Sequence, residues 1–281
     1  MKRLFFLIVA ACFVFLTTPV HAAEPQQVTV HFLNVGQADC ILVQAAEKNM
    51  LIDSGNNAHA RKVLAYLKQQ GVEVIDMLVA THPHHDHIGA MDELLNTFPV
   101  HTLYMPSVSH RTRFYRALKK AANENNTTVI EAKAPQTIRL VPNVRIDVLA
   151  PLGKRYVYKN NYSLVLKMTH GKNRFLFMAD AGWKSQSEML RKKINVKADV
   201  IKIAHHGAIS GMVGEFLDRA DPKYAVISAG GHKKFGFPSH KVIKRLKKKN
   251  VTILRTDRQG TIIAVSDGES VVFHTEHEPG P

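Results

Sequence analysis

Short apolar runs and amphipathic stretches alternate along most of the chain. Val28 to Leu33 and Cys40 to Gln44 are apolar, β-branched runs joined by a Gly-containing turn, and Asn49 to Ile52 is a third such run; all three predict strands. A helix is expected from about Ala58 to Gln70. The mainly apolar, β-branched run Val74 to Ala80 predicts a buried strand and leads directly into Thr81-His82-Pro83-His84-His85-Asp86-His87. Helices are then expected at about Gly89 to Asn96, Arg111 to Asn123, Trp183 to Lys193 and Lys241 to Lys249, the last with Ser239 as N-cap. Strands are expected at His101 to Met105, Val144 to Leu149, Leu164 to Thr169, Arg174 to Met178, Val200 to Ile203 and Tyr224 to Ser228. Three more, at Thr252 to Leu254, Thr261 to Val265 and Val271 to His274, close the chain. No Pro/Gly/Ser-rich linker divides it. The alternation predicts an α/β fold of two packed sheets with helices outside, in one domain spanning 24–275, with a loose tail at 276–281.

The N-terminus follows a different pattern. Lys2 and Arg3 precede an apolar run from Leu4 to Leu16, which ends in Thr17-Thr18-Pro19-Val20-His21-Ala22. This is the layout of a secretory signal peptide over residues 1–22, cleaved after Ala22. The run is short for a membrane span. Val9-Ala10-Ala11-Cys12 also fits a lipoprotein site with Cys12 as the lipidated residue, and an uncleaved anchor is a further alternative. Cleavage leaves Cys40 as the one thiol, so the domain must be stable without an internal disulfide. Cys40 reads as a buried core residue. The expected location is secreted or cell-surface.

Charge narrows the partners. The 281 residues carry 38 Lys and Arg against 23 Asp and Glu, a net +15. A balance this basic attracts anions such as nucleic acid or an anionic wall polymer, and it also serves plain solubility. The predicted C-terminal helix concentrates it: Lys241, Lys244, Arg245, Lys247, Lys248 and Lys249, preceded by Lys233 and Lys234. That face either tracks a phosphate backbone or is a solvated surface whose other side, Val242, Ile243 and Leu246, packs. Lys233, His240 and Lys244 are candidate phosphate contacts; for His232 and His240 the plain loop reading is favoured over a substrate contact.

The densest chemistry lies at residues 82–87. Four imidazoles and a carboxylate within six residues are the donors that zinc and similar metals take. In an extended stretch His82 and His84 project to one side, while the following turn lets Asp86 and His87 face a second position. Two metals fit this spacing better than one.

His82-x-His84-x-Asp86-His87 matches the HxHxDH motif of the metallo-β-lactamase superfamily, and other stations resemble that family in order. Leu51-Ile52-Asp53-Ser54-Gly55 is similar to its early aspartate motif, Met178-Ala179-Asp180-Ala181 to its metal-bridging aspartate, and His205-His206-Gly207 to its last histidine station. Phe32-Leu33-Asn34-Val35-Gly36-Gln37-Ala38-Asp39 resembles the DVGQGD opening of the hydrolase domain of the ComEC DNA-uptake channel, with Asn34 and Ala38 departing from it. Asn160-Asn161-Tyr162-Ser163 and Arg255-Thr256-Asp257-Arg258-Gln259-Gly260 also look like that group. Teichoic acid phosphorylcholine esterases are similar relatives. The channel's membrane segments have no counterpart here.

The resemblance implies a four-layer αβ/βα sandwich of two mixed sheets. It implies two divalent metals, zinc or alternatively manganese. The first would take His82, His84 and Asp180; the second Asp86, His87, Asp180 and one of His205 and His206, with His206 favoured as ligand and His205 facing substrate. Asp53 would orient a ligand imidazole or else cap the next helix, and His85 would support the site from behind. Asp86, His205 and Asn161 are the candidate catalytic residues. Two metals about 3.5–4 Å apart lower the pKa of a bound water to roughly 7 and suit phosphodiester displacement. The expected function is therefore an exported phosphodiesterase or nuclease acting through a metal-bound hydroxide on DNA or a wall polymer. The alternatives are an ester, thioester or lactam hydrolase, or a binding protein with a degenerate site.

Overall fold

A computed structural model describes residues 27–230 and 236–278. The signal segment, Cys12, His232, Lys233, Lys234 and the last three residues lie outside that range.

The strands assemble into two mixed sheets. The first, eight-stranded, has the order β15 (Val271–Thr275), β14 (Ile262–Ser266), β1 (Val28–Phe32), β2 (Ile41–Ala45), β3 (Lys48–Ile52), β4 (Ile75–Val79), β5 (Val100–Pro106) and β6 (Thr128–Ala132). The second, seven-stranded, runs β13 (Thr252–Arg255), β12 (Tyr224–Ile227), β11 (Val200–Lys202), β10 (Asn173–Phe177), β9 (Val165–His170), β8 (Val144–Ala150) and β7 (Gln136–Val141). Each sheet is antiparallel on one side and parallel on the other. The parallel parts are β3 to β6 and β10 to β13.

Three apolar clusters build the layers. Phe32, Ile52, Val148, Leu166, Phe175 and Phe177 fill the space between the sheets. Outside the first sheet, Val63 and Leu67 of α1 (Ala60–Gln69), Leu94 of α3 (Met91–Thr97) and Leu118 of α4 (Arg113–Glu124) cover Leu42, Leu78 and Leu103. A short helix α2 (His85–Ile88) lies between α1 and α3 in the chain. Outside the second sheet, Met189 of α5 (Trp183–Arg191), Phe216 of α6 (Gly214–Ala220) and Val242 and Leu246 of α7 (His240–Lys248) cover Leu176, Ile201 and Ala225. Helix, sheet, sheet, helix is the four-layer order expected. Covering both sheet faces explains why β4 and β11 read as mainly apolar runs rather than alternating ones.

Some details differ from the sequence reading. β6, β7 and α6 were not anticipated, and neither was α8 (Thr256–Gln259). Ser239 caps α7 as expected, its Oγ accepting from Lys241 N–H at 3.3 Å. At the start of the tail, Glu276 Oε2 accepts from Thr261 N–H at 2.8 Å, and His277 N–H donates to the Gln259 carbonyl at 3.0 Å. Cys40 is buried, and burial, followed by Asp53 and Asp39 nearby, pushes its thiol well above the ordinary range. It is a protonated core residue. Among the described residues no helix is long and apolar enough to cross a membrane.

Candidate metal centre

The candidate site sits where parallel strands of both sheets end. Asp53 follows β3, residues 81–87 follow β4, Asp180 follows β10, His205 and His206 follow β11, and Ser228 follows β12. Ligands in open α/β sheets gather at such carboxyl ends, because the loops there converge on a rigid edge. The backbone is held in costly conformations at four points of this edge: Asp53 (φ 58°), Ala179 (φ 44°), His205 (φ 51°) and His206 (φ 52°) are left-handed without being glycine. Each costs about 1–2 kcal/mol for an L-residue, and such residues cluster at functional sites. Gly207 follows at φ +81°, and a Cβ there would lie 2.6 Å from Pro238 Cβ.

Two donor sets share Asp180. Donor atoms of His82, His84 and Asp180 lie within 4.8 Å of one another, and so do those of Asp86, His87, Asp180 and His206. His82 Nε2 is 3.7 Å from Asp180 Oδ2 and 3.1 Å from His84 Nδ1. His87 Nε2 lies 3.4 Å from Asp180 Oδ1 and 3.8 Å from Asp86 Oδ2. His206 Nε2 lies 3.3 Å from Asp86 Oδ2 and 3.8 Å from Asp180 Oδ1.

The hydrogen bonds behind these rings decide which nitrogens face inward as lone pairs. His206 Nδ1 is 3.1 Å from the Ser228 carbonyl, which only accepts, so Nδ1 carries the proton. His87 Nδ1 is 2.7 Å from Asp53 Oδ2 and is likewise the donor. Asp53 also accepts from Thr81, at 2.9 Å from N–H and 2.7 Å from the hydroxyl. The Thr81 oxygen, its proton given to Asp53, then accepts from His82 Nδ1 at 3.2 Å. Each ring thus turns a bare Nε2 toward carboxylate oxygens. His87 Nε2, His206 Nε2 and Asp180 Oδ1 are fully buried and have no hydrogen-bond partner. Leaving such atoms unpaired is expensive, and lone pairs facing carboxylates call for a cation between them. The donor set therefore fits divalent metal.

Charge balance agrees. Burial alone would lift the Asp180 carboxyl, but His87 and His206 overcome it and hold it well below the usual range. Burial would also depress His87, yet Asp180, Asp53 and Asp86 together hold it well above its ordinary value. Burial lowers His82, reinforced by His87. Without a metal these carboxylates hold a proton on His87; a divalent cation between the donor sets would take that proton's place.

The other expected site residues separate. Asp53 serves as the orienting acid and caps no helix: the positions preceding the 57–59 turn and α1 are Asn56 and His59. His85 is exposed, with its ring 5.1 Å from Phe114, so it does not support the centre. Asn161 is also corrected. It is buried, and its Oδ1 accepts from Ser185 N–H at 3.3 Å on α5. Its neighbour Asn160 faces the centre instead, with Nδ2 3.2 Å from Asp180 Oδ2 and 3.5 Å from His205 Nε2. The His205 side chain is partly exposed, 3.7 Å from Asp180 Oδ2, and its Nδ1 is 3.3 Å from Ser210 Oγ. Lys244 is exposed on α7, whereas His240 lines a cavity of about 370 Å³ with Lys247, Arg255 and Arg258. Arg245 turns inward to the Met212 carbonyl at 2.9 Å and leaves the basic face.

Sequence reasoning missed one pair. Lys202 Nζ donates to Asp39 Oδ2 at 2.7 Å and to the Ile203 carbonyl at 3.1 Å, with both side chains buried. Asp39 Oδ1 lies 3.6 Å from His206 Nδ1. The available signal was a lysine inside the apolar run Val200-Ile201-Lys202-Ile203: a buried lysine needs a carboxylate partner.

Comparison with known proteins agrees with this geometry. A family model for the metallo-β-lactamase superfamily matches residues 33–232. ComE operon protein 3 of Bacillus subtilis is 30% identical over 83% of this chain and 32% of its own length. Recombination protein 2 of Haemophilus influenzae is 25% identical over 92% of this chain and 31% of its own length. The chain thus spans about a third of the length of these curated relatives. Among solved structures, the metallo-β-lactamase fold protein YhfI of Bacillus subtilis superposes with a TM-score of 0.56 at 15% identity, covering 82% of this chain and 95% of that one. With layers, strand-end site and motif order in agreement, the chain belongs to the metallo-β-lactamase superfamily, whose members are generally metal-dependent hydrolases.

Proposed function

We propose that this chain is an exported, two-metal phosphodiesterase that cleaves nucleic acid, with zinc or manganese as its metals. The observation that carries the reading is the position of Asp180 between two donor sets, with Asn160 and His205 on the open side. Export rests on the N-terminal pattern of residues 1–22. Phosphodiester substrates are favoured by the net charge of +15 and by relatives whose names refer to competence and recombination. A wall-polymer phosphodiester is the nearest competitor.

Bound at the two donor sets, divalent cations would acidify a water and neutralise charge on a phosphoryl oxygen. The protein's own residues prepare the rest. Asp53, through Thr81 and directly, fixes the tautomers of His82 and His87, and the Ser228 carbonyl fixes His206. Such support sets ligand orientation and basicity. Asp39 and Lys202 brace the His206 loop from below. The Asn160 amide donates to a substrate oxygen. His205, whose Nε2 accepts from Asn160 Nδ2 at 3.5 Å before substrate arrives, is placed to exchange a proton with the leaving oxygen at the same point.

A substrate panel tests this. Metal-loaded protein is incubated with plasmid DNA, bis-p-nitrophenyl phosphate, a phosphorylcholine ester and a chromogenic lactam. Phosphodiester cleavage is expected, abolished by chelator and by Asp180→Ala. Cleavage of the lactam alone would overturn the proposal.

A further inference from the structure

Apolar side chains exposed singly are ordinary on a protein surface. Here four of them, from three separate segments, each lie within three residues along the chain of a side chain at the candidate centre. Val157 and Tyr158 are 90% and 71% exposed, Trp183 60% and Ile209 49%. Tyr158 lies two residues before Asn160, which touches Asp180. Trp183 lies three residues after Asp180, in the first turn of α5. Ile209 precedes Ser210, which touches His205. The first two segments are joined where Ser185 N–H meets Asn161 Oδ1.

The outward placement of Tyr158 is built. Tyr156 points inward: its hydroxyl accepts from Gly153 N–H at 2.7 Å and bonds Glu188 on α5, and its ring meets Tyr162 edge-on at 5.1 Å. Its own N–H donates to the Tyr162 hydroxyl at 3.0 Å. With that side committed, the next residues, Val157 and Tyr158, are turned to solvent. Lys154 and Arg155 are exposed beside them. Exposed basic residues, Lys154 and Arg155, thus stand beside the exposed ring of Tyr158 in the segment that leads to Asn160, the combination that binds unpaired bases while tracking phosphates.

Resting on the phosphodiesterase reading, we infer that Tyr158 and Trp183 form a stacking platform for successive bases of a single-stranded nucleic acid whose phosphates pass toward Asp180. A wall polymer offers no bases to such a platform, so these two rings select nucleic acid as the substrate.

Trp183 is the one tryptophan of the chain, so its fluorescence reports the contact directly. Metal-replete protein is titrated with phosphorothioate oligothymidine, with an abasic oligomer of the same length and charge, and with anionic phosphatidylglycerol vesicles. Oligothymidine should quench Trp183 saturably. Read by the anisotropy of dye-labelled oligothymidine, Tyr158→Ala with Trp183→Ala should weaken its binding roughly tenfold or more, while Trp183→Phe keeps most of it. Equal binding and quenching by the abasic oligomer would overturn the platform, as would a response to vesicles alone. Cleavage of DNA with base-independent binding sinks this inference and spares the phosphodiesterase reading. Base-dependent quenching without cleavage of any phosphodiester does the reverse.

Discussion

Two consecutive histidines take different work because the backbone beneath them is left-handed at both positions. His205 (φ 51°) sends its ring to Asn160 and Ser210, while His206 (φ 52°) buries its ring against Asp86 and Asp180. The two substitutions should therefore behave differently. His206→Ala should lose about one equivalent of metal and with it activity. His205→Ala should keep its metal and lose about 10²–10⁴ in kcat. Metal analysis alongside steady-state kinetics separates them, and equal metal loss in both would remove His205 from its assigned role. The convergence of the donors at 82–87, 180 and 206 was legible because they stand in a recognisable order. The choice between Asn160 and Asn161 was not legible, since it depends on how one short turn directs two identical side chains. Asp39 and Lys202 were missed because their partnership spans both sheets.

Among the elements, β11 has a structural task beyond carrying its histidine loop. Its last residue, Lys202, reaches Asp39 in the loop after β1 and so ties the second sheet to the first beneath His206. Lys202→Met would leave the Asp39 carboxylate buried without its partner, a loss of about 3–5 kcal/mol. Replacing both, Asp39→Leu with Lys202→Met, should recover much of that stability. Urea unfolding of the single and double variants checks this; an additive double variant would show that the pair is not a unit. The strong strands β4, β10 and β11 were readable because both faces are covered and apolar residues dominate each run, interrupted by only one or two polar residues. β6 and β7 were not, because they are the outer strands of their sheets and carry mostly exposed or half-buried side chains. α6 is only seven residues long and buries Phe216, Leu217 and Ala220, too few to show a helical period.

At the scale of the whole molecule, two sheets that each change from antiparallel to parallel place their parallel ends around one opening. The first sheet supplies the residue 82–87 loop and its orienting acid; the second supplies Asp180 and His206. Neither half has a complete centre without the other, so the carboxylate that belongs to both donor sets decides the account. The most direct test is the metal content of the purified, metal-replete protein and of Asp180→Ala, measured by inductively coupled plasma mass spectrometry. The expected result is about two divalent ions per chain in the wild type, with Asp180→Ala retaining one or none. A wild type that binds no transition metal, or an Asp180→Ala variant that still holds two, would contradict it.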